Sequence, residues 1–191
     1  MAQQFGFHLT KISDLLEIYP FHAEDYRGGL IKDFSQEMFR MNGVSFCVIE
    51  SLYISSNKGV IRGLHFQRIR QVPKLVRCIS GHVWDVVVDL RKNSPTFKQW
   101  QGFDLSTEDN ASLFIPSGCA NGIMAIEPSI VSCKCGEKFY GEYDAGIAWN
   151  DPDIGIEWPL GAVGGLNKVV LSDKDKQLPS FVEFLNTYGE F

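Results

Sequence analysis

Between residues 59 and 134 the chain offers seven short runs rich in β-branched and aromatic residues: GVIRGLHF, KLVRCI, VWDVVVDL, KQWQGFDL, SLFIP, GIMAI and IVSCK. Each is bounded by turn-forming residues, so each reads as a strand, and so many at close spacing build a sandwich or barrel. VWDVVVDL is the most regular. Strand alternation puts Trp84, Val86, Val88 and Leu90 on one face, and Val83, Asp85, Val87 and Asp89 on the other. Helical patterns are confined to the flanks, in FSQEMFRM from residue 34 and PSFVEFLNTYG from Pro179, a residue suited to a helix start. The expectation is a mainly β jelly-roll-type barrel with short peripheral helices, forming one domain over residues 1–191, long enough to bury a core without covalent staples.

Charge and composition narrow the partners. The net charge is −5 and no basic stripe is visible, which argues against a nucleic-acid binder. No apolar run approaches the roughly 20 residues of a membrane span, and the start MAQQFGFHLTK lacks the basic and apolar blocks of a secretory signal. The five cysteines, Cys47, Cys78, Cys119, Cys133 and Cys135, are odd in number, contain no CxxC pair, and read as reduced and structural. Cys133 and Cys135 share one face if their run is a strand. A cytoplasmic protein is expected.

The chemistry-bearing residues are few. The histidines are His8, His22, His65 and His82, with no local pair to hold a metal. There is neither a glycine-rich phosphate loop nor a GxSxG elbow, so no metal or cofactor is expected. His65, in RGLHFQ, reads either as a satisfied core histidine or as a catalytic base. Strict alternation groups His65 with Ile61 and Gln67 and puts Arg62 with Leu64, unless Gly63 introduces a bulge. Lys74, at the head of KLVRCI, reads as an edge-strand gatekeeper or as a cation aimed inward, the first favoured by pattern alone. Asp173 and Asp175, in LSDKD, look like turn residues.

Five stretches, RGLHFQ, KLVRCISGHVWDVVVDLRKNSPTFKQW, LFIPSGCANGI, GIAWNDPDIGIEWP and LSDKD, resemble in this order the dTDP-4-dehydrorhamnose 3,5-epimerase family. The upstream EDYRGGLIKDF resembles that family's substrate-binding arm. The resemblance implies a cupin-type jelly roll, a homodimer, no cofactor, and a nucleotide-diphosphate sugar with a 4-keto-6-deoxy ring as substrate. It further implies His65 as general base, Asp175 as the carboxylate that partners it, and Lys74 as the cation on the developing enolate oxygen. Arg27, Arg62 and Gln67 match substrate-binding positions.

This chain also departs from the pattern. Where the family reads FAHGF, it has Cys119, Ala120, Asn121, Gly122 and Ile123, so a second histidine has become Asn121. The family's tyrosine acid lies ten residues before the tryptophan of WNDP, a position held here by Phe139. Tyr140, one residue on, is the candidate replacement acid, its alternative role being packing on the rim; Tyr143 is more distant. Glu50 and Leu52 stand where the family's glutamine and asparagine shape the nucleotide pocket. Asn121, Phe139 and Glu50 are thus expected to contact substrate in altered ways. The implied activity is epimerisation at carbons 3 and 5, or at only one of them. Ketoisomerisation of a different nucleotide sugar and non-catalytic binding remain as alternatives.

Overall fold

A computed structural model describes residues 4–189. In chain order the strands are β1 (Gly6–Leu9), β2 (Leu16–Tyr19), β3 (Phe21–Asp25), β4 (Gly28–Lys32), β5 (Glu50–Ser56), β6 (Ile61–Gln67) and β7 (Lys74–Ser80). They continue as β8 (His82–Asp89), β9 (Trp100–Ser106), β10 (Ser112–Ile115), β11 (Cys119–Ala125), β12 (Ser129–Cys135) and β13 (Asp144–Gly146). The helices are α1 (Gln36–Met41), α2 (Leu160–Val163) and α3 (Phe181–Tyr188). One sheet runs β1-β2-β10-β7-β12-β5 and the other β13-β6-β11-β8-β9, while β3 and β4 form a hairpin of their own. All pairings between these strands are antiparallel. This is the mainly β, jelly-roll-like sandwich that the strand runs imply.

The alternation in β8 divides its side chains as the sequence predicts. Val83 and Val87 join Val76, Leu113, Ile123 and Val131 between the sheets. Trp84, Val86, Val88 and Leu90 face outward, where Trp158, Phe181 and Phe184 cover them. Both faces of β8 are therefore buried, at about 1.5–3 kcal/mol for each large apolar side chain removed from water. Trp84 needs room, and Gly102 on β9 provides it: a Cβ at that position would lie 2.0 Å from the indole ring.

The turn after β8 is organised by a buried carboxylate. Asp89 accepts hydrogen bonds from the Arg91 backbone and guanidinium, from Ser94 Oγ and from Thr96 Oγ1. Burial alone would raise the Asp89 pKa, but these donors together hold it down to about 2. The residues of DLRKNSPT thus fix the β8–β9 connection.

Both flanking helices form. Ser180 caps α3 reciprocally with Glu183, and Phe181 and Phe184 dock its inner face. Phe39 anchors α1 in a third cluster with Phe46 and Phe114. No helix among the described residues is long and apolar enough to cross a membrane.

Candidate functional site

His65 reaches the interior of the sandwich because β6 breaks its own alternation. Gly63 has φ of +114°, and a Cβ there would lie 2.6 Å from the Asn121 carbonyl oxygen, so only glycine fits without strain. The β6–β11 register shifts at this point. Ile61, Leu64 and Phe66 consequently face the outer core together. Arg62 and His65 line one cavity. The strict-alternation expectation, which separated Arg62 from His65, is thereby corrected: a bulge at Gly63 brings them to the same side.

Two adjoining cavities, of about 360 and 320 Å³, share Ile54, His65, Lys74 and Lys174. His65 Nε2 lies 2.6 Å from Asp175 Oδ1. A carboxylate can only accept, so Nε2 carries the proton and Nδ1 presents its lone pair. Nδ1 lies 4.0 Å from Asp144 Oδ1. Asp175 is itself buried and held by Ser172, whose hydroxyl donates to Oδ2 at 2.9 Å. Burial lowers the His65 pKa, although the neighbouring Asp175 opposes the shift. The imidazole is thus the neutral, proton-accepting form at neutral pH. Asp173, by contrast, is exposed and pairs with Lys176.

Lys74 opens β7, which lies between β10 and β12 in the sheet order. It is therefore no edge gatekeeper; its strand is interior and its side chain lines both cavities. Arg62 donates to Ser56 Oγ and to the Ser55 carbonyl, each at 3.0 Å, and stands at the wall of the smaller cavity.

Other expected residues divide. Asn121 lines the smaller cavity, and its amide nitrogen donates to Asp85 Oδ1 at 2.7 Å and to the Val86 carbonyl at 3.1 Å. Gln67 reaches the larger cavity, but its amide is used for architecture. It donates to the Arg70 and Lys138 carbonyls and accepts from the Tyr140 backbone. Glu50 lines the same cavity and accepts from the Phe139 backbone N–H at 3.1 Å. Phe139 lines the larger cavity; Tyr140 lines neither, and its ring lies 5.7 Å from that of Tyr143. Arg27 is not brought to the cavities. It sits at the tip of the β3–β4 hairpin, exposed, and pairs with Asp25.

Three cavity residues, and one buried carboxylate behind Asn121, carried no clear functional signal in the sequence. Asp144, which pairs with Lys174, enters through β13, whose three residues are too few to show periodicity. Cys133 and Cys135 do share a face, as their spacing predicts, and that face lines the larger cavity. Asp85 is fully buried beside Asn121, and burial pushes its carboxyl up to about 8. Among the described residues no cluster of three or more His, Cys, Asp or Glu side chains is arranged to hold a metal ion.

The family model for dTDP-4-dehydrorhamnose 3,5-epimerase matches residues 9–183. The dTDP-4-dehydrorhamnose 3,5-epimerase of Methanothermobacter thermautotrophicus is 43% identical over 174 residues, which cover 91% of this chain and 92% of that protein. Among solved structures, the dTDP-6-deoxy-D-glucose-3,5-epimerase of Legionella pneumophila, in complex with dTDP-4-keto-L-rhamnose, superposes with a TM-score of 0.86 at 32% identity, covering 93% of each chain. A 3'-monoepimerase from Streptomyces bikiniensis, in complex with dTDP-quinovose, superposes with a TM-score of 0.87 at 26% identity, covering 96% of this chain and 91% of that one.

Proposed function

Because the chain belongs to the dTDP-4-dehydrorhamnose 3,5-epimerase family, we propose that it epimerises a nucleotide-linked 4-keto-6-deoxy sugar within the synthesis of surface-polysaccharide precursors. The observation that carries this reading is the His65–Asp175 pair facing a cavity whose wall also holds Lys74. A hydrogen on a carbon next to a ketone is acidic because the resulting charge moves to the ketone oxygen. His65 Nδ1 accepts that proton, and Asp175 stabilises the imidazolium that results. Lys74 supplies positive charge to the enolate oxygen as it develops. Protonation from the other face then inverts the carbon. Arg62 engages the diphosphate, a task suited to a permanently charged, planar donor.

The β3–β4 hairpin joins neither main sheet and leaves Tyr26 97% exposed and Leu30 60% exposed. These features support a homodimer in which the hairpin of one copy lies against the other, carrying Arg27 to the partner's substrate. A cytoplasmic location accords with a nucleotide-sugar substrate.

A second reading is favoured by one residue. Phe139 lines the cavity at the position where the family resemblance expects a tyrosine acid, and it has no proton to give. Inversion at only one carbon demands fewer acids than inversion at two. The test is proton NMR in heavy water with a dTDP-linked 4-keto-6-deoxy sugar. Deuterium at carbons 3 and 5 with a new stereoisomer supports double epimerisation, and deuterium at one carbon supports the second reading. Absence of exchange with dTDP, GDP and CDP sugars alike overturns both.

A further inference from the structure

Cys133 and Cys135 stand two residues apart on β12, on the face that lines the larger cavity. Strands on both sides fix their positions. Cys133 is registered against Val76 of β7 and Leu52 of β5, and Cys135 against Lys74 and Glu50. Their sulfurs lie 3.7 Å apart with no bond between them. A disulfide needs sulfurs about 2.05 Å apart, and the flanking ladders resist the backbone movement that would close the gap. One bridging atom meets the existing separation more readily. With a thiolate bond of about 2.3 Å, the length found for zinc, a central atom reaches both sulfurs.

The neighbours decide what kind of atom. Lys74 faces Cys135 directly across the β7–β12 ladder. The Cys133 thiol, by hydrogen bonding, and the Lys74 charge lower the Cys135 pKa despite its burial, while the same hydrogen bond and burial raise that of Cys133. Cys135 is therefore the readier nucleophile of the pair. A divalent metal ion takes three or four protein ligands, and among the described residues no cluster of three or more His, Cys, Asp or Glu side chains is arranged to hold one. A three-coordinate arsenic(III) centre needs only the two sulfurs, its third bond being to its own substituent.

We propose that Cys133 and Cys135 form a dithiol site for trivalent arsenicals inside the substrate cavity. The reaction of an arsenoxide, R–As=O, with the pair breaks two S–H bonds and the As=O bond. It forms two As–S bonds and releases one water that carries both thiol protons, with arsenic remaining trivalent. The adduct then occupies space beside Lys74, so arsenical and sugar nucleotide exclude one another. The binding itself does not depend on the proposed epimerase activity.

Phenylarsine oxide, added to the full-length protein, tests this by intact-mass spectrometry and thiol titration. The expected result is one adduct per chain with loss of one water, and two fewer titratable thiols. A small dithiol should remove it and an excess of monothiol should not. Because the second As–S bond forms intramolecularly, C133S and C135S should each weaken binding by roughly 100-fold or more, while C47S should not. If C133S does not fold, iodoacetamide labelling of the wild-type adduct replaces it, with Cys47 alkylated and Cys133 and Cys135 protected. An adduct that survives in C133S and C135S, yields to a monothiol, or leaves Cys133 and Cys135 open to alkylation overturns the proposal. Cadmium ion binding as tightly to the same pair would overturn the choice of a three-coordinate centre.

Discussion

Asp175 Oδ1 lies 2.6 Å from His65 Nε2, although the two residues are 110 positions apart in the chain. The contact joins a barrel strand to a short turn near the C-terminus, and Ser172 holds the carboxylate in place. It defines one ring nitrogen as donor and leaves the other to accept a proton.

His65→Asn removes that proton acceptor and keeps a polar side chain. Deuterium exchange into a 4-keto sugar nucleotide should fall by about 10²–10⁴-fold, the usual worth of a general base. Calorimetry should show dTDP binding retained. Exchange at the wild-type rate would remove His65 from the chemistry.

The pH dependence follows from the direction of the His65 shift. Burial favours the neutral ring, so the acid limb of the exchange rate should lie below the ordinary imidazole value of about 6.5. Asp175 pulls the pKa the other way. Asp175→Asn should therefore move the limb to still lower pH while reducing the plateau rate, because the tautomer is no longer fixed. An upward movement of the limb would contradict this assignment.

Phe139→Tyr places a phenol at the cavity wall. If an absent acid limits the reaction to one carbon, the variant should incorporate deuterium at a second. Tyr140→Phe should change little, since Tyr140 lines neither cavity. NMR of both variants beside the wild type separates the two residues.

Asp85 makes stability fall with rising pH. Burial raises its pKa to about 8, so the folded chain keeps a proton that the unfolded chain loses near pH 4. Between those values Asp85 contributes a loss of roughly 1.4 kcal/mol per pH unit. Asp85→Asn keeps an acceptor for Asn121 and has nothing to titrate. Urea denaturation from pH 5 to 8 should show a shallower decline for the variant; identical slopes would refute the argument.

Asp89 acts in the opposite sense. Its pKa of about 2 means that its stabilisation is present above pH 4 and lost as pH falls from about 4 towards 2. Asp89→Asn should cost roughly 3 kcal/mol at pH 7, because Arg91 loses a buried charged partner. The variant should also lose this part of the wild type's acid sensitivity, as denaturation midpoints between pH 2 and 5 would show.

The strands from β6 to β12 were legible because each carries side chains for a buried face, and β8 for two. β3 and β4 were not, since nearly every side chain in them is exposed and no period forms. His65 and Arg62 were found as residues, but their shared cavity depends on the Gly63 bulge, and strand parity cannot show where a chain skips a residue. Asp175 looked like a surface turn because its partner is distant in sequence. VVVDLRKNSPTFKQW, part of the longest stretch that carries the family resemblance, owes much of its pattern to the Asp89 turn. Strong family signal and catalytic role are thus separate properties here.

Gln67 has a consequence for how ligands come and go. Its amide ties the segment bearing Phe139 to β6, the strand that carries His65, through the Lys138 carbonyl and the Tyr140 N–H, and the Phe139 N–H adds a tie to Glu50. Swinging that segment aside would break several hydrogen bonds, each worth about 0.5–1.5 kcal/mol net. Phe139 therefore belongs to the fixed frame around the base and is no lid over it. Closure over the base during turnover is then left to other segments of the chain.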